Sequence, residues 1–229
     1  MMFKYALFDL DGTLTDPKEG ITRSVQYALK AFGIEEEADK LVSFIGPPLR
    51  DSFMTFYDFT PEQAEEAVKV YRERFSTVGL YENIPYEGMK ELLENCHNRG
   101  MRLAVASSKP QVFVEKILEH FGLAEYFDVV VGSELDGTRE KKEEVVEEAL
   151  RQLEEMVSGK GQTILSQIFN RSNCCMVGDR KYDVEGGKRF YLFTLAVAYG
   201  YADEGELEEA GADRIVGSVD ELQKVLLEG

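Results

Sequence analysis

The sequence predicts an α/β protein: a Rossmann-like, doubly wound parallel sheet core with an inserted α-helical cap domain. Three observations lead there. From residue 101 onward, short apolar runs alternate with longer amphipathic stretches, the pattern of strands joined by crossover helices. A mainly helical block at residues 17–83 interrupts that pattern just after the first apolar run. Residues 1–16 and 84–229 then read as one core divided by the insertion.

The elements follow in order. FKYALF at 3–8 is a buried strand by composition. One clear helix of the inserted block begins at Thr60-Pro61-Glu62-Gln63. Thr60 caps it, Pro61 suits the first helical position and Gln63 completes a capping box. Ala64, Ala67, Val68, Tyr71, Phe75 and Val78 give it an apolar stripe. After the first run, no strand signal appears until residue 101. MRLAVA (101–106) is a strand, and Pro110 opens a helix with Phe113, Ile117 and Phe121 on one face. DVVV (128–131) is a strand and 140–157 a charged helix. NCCMVG (173–178) is a strand followed by a short helix; TLAVA (194–198) and DRIV (213–216) are strands. A last helix carries the capping box Ser218 to Glu221 and the stripe Leu222, Val225 and Leu226.

Composition narrows the function. The 229 residues are 44% hydrophobic and 30% charged, an ordinary soluble composition able to bury a core without disulfides. With 26 basic against 43 acidic residues the net charge is −17. That argues against nucleic acid and anionic membrane surfaces as partners. An anionic substrate would need a local positive site. No apolar run approaches the roughly 20 residues of a membrane helix, and MMFKYALFDL is too short for a signal peptide. Cys96, Cys174 and Cys175 have neither zinc nor disulfide spacing, so reduced, buried thiols and a cytoplasmic location are expected.

Open α/β sheets bind ligands at the carboxyl ends of their strands. The residues just after each strand therefore carry the functional reading. Asp9-Leu10-Asp11-Gly12-Thr13 follows the first strand. Two carboxylates this close repel unless a cation intervenes; the alternative is a pair of turn caps. Ser107-Ser108-Lys109 is an anion site or a simple helix cap. Lys142, at a helix start where the macrodipole disfavours it, is a point charge for a phosphate and a carboxylate, or part of a solvated face. Asp179 and Asp183 place two more acids after NCCMVG.

This set resembles the haloacid dehalogenase superfamily of phosphatases. FDLDGTLTD is similar to its first motif, SSK to its second, Lys142 to its third and GDRKYD to its fourth. IGPPLRDSF, LDGTR and MVGDRKYD are similar to the phosphoglycolate phosphatase-like branch. The resemblance implies Asp9 as nucleophile and Asp11 as acid and base, with Ser107 and Lys142 at the phosphoryl oxygens and Ser108 as a further substrate-binding candidate. It implies Mg²⁺ on Asp9, the carbonyl of Asp11 and Asp179, with Asp183 helping through the water shell. Oxygen-only ligands favour such a hard cation over zinc. The implied substrate is a small phosphomonoester of the phosphoglycolate or nucleoside 5'-monophosphate type, with specificity expected from the cap through Ile45-Gly46-Pro47-Pro48 and Arg50, Arg50 being equally readable as a solvated surface charge.

Two rivals share these residues: a phosphomutase of the same superfamily, and a catalytically silent metabolite-binding protein. The oligomeric state stays open between monomer and homodimer. Residues 158–172 make the run between the third and fourth motifs long, and are read as structural elaboration with Ile164, Leu165, Ile168 and Phe169 at helical spacing. His97 and His120 fall outside every motif and are read as structural or surface residues.

Overall fold

The computed structural model describes residues 3–158 and 169–228. In chain order its elements are β1 (Tyr5–Phe8), β2 (Thr15–Asp16), α1 (Lys18–Ala31), α2 (Leu49–Tyr57), α3 (Pro61–Phe75), β3 (Ile84–Pro85), α4 (Met89–Asn98), β4 (Arg102–Pro110) and α5 (Gln111–His120). Then come β5 (Val129–Ser133), α6 (Lys142–Ser158), β6 (Cys174–Gly178), α7 (Lys181–Arg189), β7 (Phe193–Val197), α8 (Glu206–Glu209), β8 (Arg214–Val216) and α9 (Val219–Glu228). The chain divides into two compact units: Met1–Leu14 with Pro85–Gly229, and Thr15–Ile84.

The larger unit is an α/β sheet of six strands in the order β5-β4-β1-β6-β7-β8. Every described pairing is parallel. The chain runs outward from β1 through β4 to β5, then resumes on the other side of β1 with β6, β7 and β8. That reversal leaves the ends of β1 and β6 adjacent, the place where a crevice forms in such sheets. Register fixes the junction: Phe8 pairs with Val177, and the Asp9 N–H donates to the Val177 carbonyl at 2.9 Å. The strands are short apolar runs because both faces are covered. Ala6, Leu7, Phe8, Leu103 to Ala106 and Cys174 to Val177 are buried. The inner face of α6 meets them with Val145, Val146, Ala149, Leu150 and Leu153.

The smaller unit holds α1, α2 and α3 and an aromatic group in which Phe53 meets Phe44 edge to face at 5.1 Å and stacks on Phe59 at 5.8 Å. Thr60 and Gln63 form the expected reciprocal capping box on α3. Ala64, Ala67, Tyr71 and Phe75 of its stripe are buried. Val78 is 47% exposed, because α3 ends at Phe75 and the helical period no longer applies.

Some expectations need correction. The two crossings between the units are paired strands, β2 with β3, so strand structure exists before residue 101. Two-residue strands are too short to show alternation in sequence. β4 runs on through Ser107, Ser108 and Lys109 to Pro110, so no helix begins directly behind Ser107. At α9 the Glu221 N–H does donate to Ser218 Oγ, but the Glu221 carboxylate accepts from Gly217 N–H, one residue short of a reciprocal box. Residues 159–168, including Ile164, Leu165 and Ile168, lie outside the described residues. Phe169 packs on the ring of Tyr5 at 4.8 Å. His97 and His120 are exposed on the last turns of α4 and α5.

Candidate active site

The parallel sheet gathers residues from five places in the sequence at one strand edge. Asp9 follows β1, Ser107 to Lys109 end β4, Lys142 opens α6, Asp179 follows β6, and Asp183 sits in the first turn of α7. Lys142 lies between two acids. Its Nζ is 2.8 Å from Asp9 Oδ1 and 2.9 Å from Asp183 Oδ1, and donates to the Ala106 carbonyl at 3.0 Å. Burial alone would lower the Lys142 pKa, but the Asp183 and Asp9 carboxylates outweigh it and hold the ammonium charged. A buried lysine tied down in this way is a fixed positive charge inside an acidic protein.

The buried carboxylates outnumber the two lysines paired with them. Burial, then repulsion from Asp183 and Asp9, raises the Asp179 pKa well above the usual range. Burial pushes Asp183 up to about 6 despite Lys142. Asp11 is also raised by burial, against the pull of the Lys109 ammonium with which it pairs. Asp9 and Asp183 share the single Lys142 ammonium through their Oδ1 atoms, and among the described residues the buried Oδ1 of Asp11 accepts no hydrogen bond. Ligand oxygens of Asp9, Asp179 and Asp183 lie within 4.8 Å of one another. Three buried carboxylates at this spacing, with one ammonium between two of them, fit a hard divalent cation, which takes oxygen ligands and removes the repulsion.

Glycines permit this crowding. Gly12 has φ +79°, and a Cβ there would fall 2.1 Å from Asp179 Oδ2. A Cβ on Gly178 would meet the Asp183 carboxyl carbon at 2.1 Å. Asp179 is fully buried. Thr13 Oγ1 donates to its Oδ1 at 3.3 Å and the Tyr201 N–H to its Oδ2 at 2.8 Å. Asp183 Oδ2 accepts from the Arg180 N–H at 3.0 Å, which also caps α7.

Asp9, Asp11, Ser107, Lys142, Asp179 and Asp183 thus belong to one unit and one sheet edge. Ser107 is buried and its Oγ accepts from the Lys109 N–H at 3.3 Å, leaving its hydroxyl proton free to donate. Ser108 contributes its carbonyl to the Ser133 hydroxyl, a scaffold bond. Arg50 belongs to the other unit, where it stands 3.7 Å from Glu65 with its side chain 44% exposed. The sequence reading gave no individual role to Lys109, Thr13, Tyr199 or Tyr201. Lys109 could have been found from its place in SSK, and the two tyrosines from their place just behind TLAVA.

Residues 6–197 match the haloacid dehalogenase-like hydrolase family. The chain is 44% identical to a 5'-nucleotidase of Pseudomonas aeruginosa, covering 96% of this chain and 94% of that one. It is 33% identical to the tyrosine-protein kinase PtkA of Mycobacterium tuberculosis, over 96% of this chain and 71% of that protein. Among solved structures, a predicted phosphatase from Clostridium acetobutylicum superposes with a TM-score of 0.90 at 45% identity, covering all of both chains. The chain belongs to the haloacid dehalogenase-like hydrolase family and is an enzyme of its phosphatase kind.

Proposed function

We propose that the protein is a Mg²⁺-dependent phosphohydrolase acting on a small phosphomonoester through an aspartyl-phosphate on Asp9. The observation that carries this is Lys142 within 2.8–2.9 Å of both Asp9 and Asp183, beside Asp179. The P. aeruginosa relative favours a nucleoside 5'-monophosphate as the substrate type; phosphoglycolate is the alternative of the same class. Residues 15–84 act as the cap domain in this reading.

Asp9 attacks phosphorus with one carboxylate oxygen, and the bond to the leaving oxygen breaks. Burial keeps Asp11 protonated more readily than an ordinary aspartate, so it gives its proton to the leaving oxygen. It then takes one from the water that hydrolyses the aspartyl-phosphate. Lys142 and the Ser107 hydroxyl hold the phosphoryl oxygens and orient them. Lys109 holds the Asp11 carboxyl in place between the steps. Asp9, Asp179, Asp183 and the carbonyl of Asp11 would hold the cation, which supplies neutralising charge for the carboxylates and the phosphoryl group. This also answers how a chain of net charge −17 admits an anion: the positive charge is local and buried.

Turnover of p-nitrophenyl phosphate, then a panel of phosphometabolites led by nucleoside 5'-monophosphates, tests the proposal. Hydrolysis that stops with a chelator and returns with Mg²⁺ supports it. A chain that binds such esters without turning any over is the silent binding protein instead, and one that isomerises a sugar phosphate is the mutase.

A further inference from the structure

We infer that Tyr199-Gly200-Tyr201, the segment leaving β7, is a positioning element of the active site that presets the acidic cluster for its cation. The inference rests on the metal reading above and adds residues from outside the four motifs. Three contacts carry it. The Tyr199 hydroxyl donates to the Thr13 carbonyl at 3.0 Å, and so fastens the turn that bears Asp11 and Gly12. Thr13 in turn donates its own hydroxyl to Asp179 Oδ1 at 3.3 Å. The Tyr201 N–H holds the other oxygen of Asp179 at 2.8 Å.

Gly200 completes the clamp. A Cβ there would lie 2.3 Å from Asp179 Cβ and 2.5 Å from the Gly12 carbonyl oxygen. A Cβ on Gly12 would also meet Asp179, at 2.1 Å from its Oδ2. Two backbones thus approach Asp179 this closely only because neither bears a side chain. The purpose is electrostatic. Asp9, Asp179 and Asp183 repel one another, and a flexible set of acids would turn apart when empty. Holding Asp179 by both oxygens keeps the ligand oxygens together, so the cation need not order them on binding. Tyr199 acts through Thr13 and the turn, and is a positioning residue. Its ring stacks edge-on against Tyr86 at 4.7 Å, so ring and hydroxyl can be separated by mutation.

The test is Tyr199→Phe in the full chain, which keeps the ring and removes the donor. Mg²⁺ binding is measured by calorimetry on chelator-treated protein, and steady-state kinetics with p-nitrophenyl phosphate at saturating Mg²⁺. Loss of one neutral hydrogen bond predicts a dissociation constant for Mg²⁺ raised about threefold to tenfold. It also predicts a lower kcat with little change in KM. Wild-type Mg²⁺ affinity in the variant overturns the inference even if its melting temperature falls, since lost packing alone does that. If the wild-type chain binds no Mg²⁺, the metal reading fails first and this inference with it.

Discussion

At the scale of single residues, the chemistry rests on side chains whose roles separate by substitution. Asp9→Asn is expected to abolish turnover of p-nitrophenyl phosphate, because an amide cannot form the acyl-phosphate. Substantial residual activity in a clean preparation sinks that role. Asp11→Asn is expected to slow turnover by about 10²–10⁴-fold, the usual worth of general acid–base catalysis. The buried thiols give a check independent of activity. Burial pushes Cys96 and Cys174 up to about 12 and Cys175 well above its ordinary range. Ellman's reagent is expected to leave all three unmodified in the native protein and to count three thiols in denaturant. Rapid native modification of any of them contradicts the burial. The acids were legible in the sequence because Asp9 and Asp179 directly follow apolar strands and Asp11 and Asp183 come within five residues of them. For Lys109 and Tyr199 the sequence offered only a position, behind a strand; their roles were not legible, because they consist of contacts with residues 98 and 186 positions away.

At the scale of elements, local rules and tertiary contacts can be told apart in the smaller unit. The Thr60 cap is local, so Thr60→Ala is expected to cost about 1 kcal/mol by chemical denaturation. Gly20 is a tertiary matter: a Cβ there would lie 2.1 Å from the Gly79 carbonyl oxygen, where backbone must move. Gly20→Ala is expected to destabilise the protein more than loss of the cap does, and an equal or smaller effect would mean that α1 shifts freely. The capping box was readable because it spans four adjacent residues. The end of α3 before Val78, the run-on of β4 through Lys109 and the pairing of β2 with β3 were not. Each depends on a neighbour supplied by another part of the chain.

For the molecule as a whole, the acidic cluster links stability to pH and, on the proposed reading, to Mg²⁺. Asp183 is raised to about 6 by burial, and Asp179 and Asp11 are raised as well. These groups keep protons in the folded chain that the unfolded chain has already lost. Stability of the metal-free protein therefore falls as pH rises from about 4 through 6, the reverse of an ion-paired carboxylate. Glu82, held low by Arg74, has that ordinary sign: its contribution is lost only as pH falls below the usual carboxylate range. A cation on the cluster replaces the missing protons, so Mg²⁺ is expected to raise the melting temperature more at pH 7.5 than at pH 5. Each kcal/mol of this linkage corresponds to about 2–4 °C in a chain of this size. Equal shifts at the two pH values count against the cluster as the binding site.

The sequence by itself determined the alternation that makes an α/β sheet, the insertion after the first strand, and the acids at strand ends. Those properties are written in neighbouring residues: apolar runs of strand length, a helical period, and a carboxylate where a strand must turn. Only the tertiary structure decided the order β5-β4-β1-β6-β7-β8, which sets Asp9 beside Asp179. It alone placed Lys142 between Asp9 and Asp183, and Tyr199 on the turn that carries Asp11. Such placements follow from packing both faces of the sheet and from satisfying buried charge. Both are properties of the closed chain, since burial is what raises the cost of an unpaired carboxylate and sets one lysine between two of the acids.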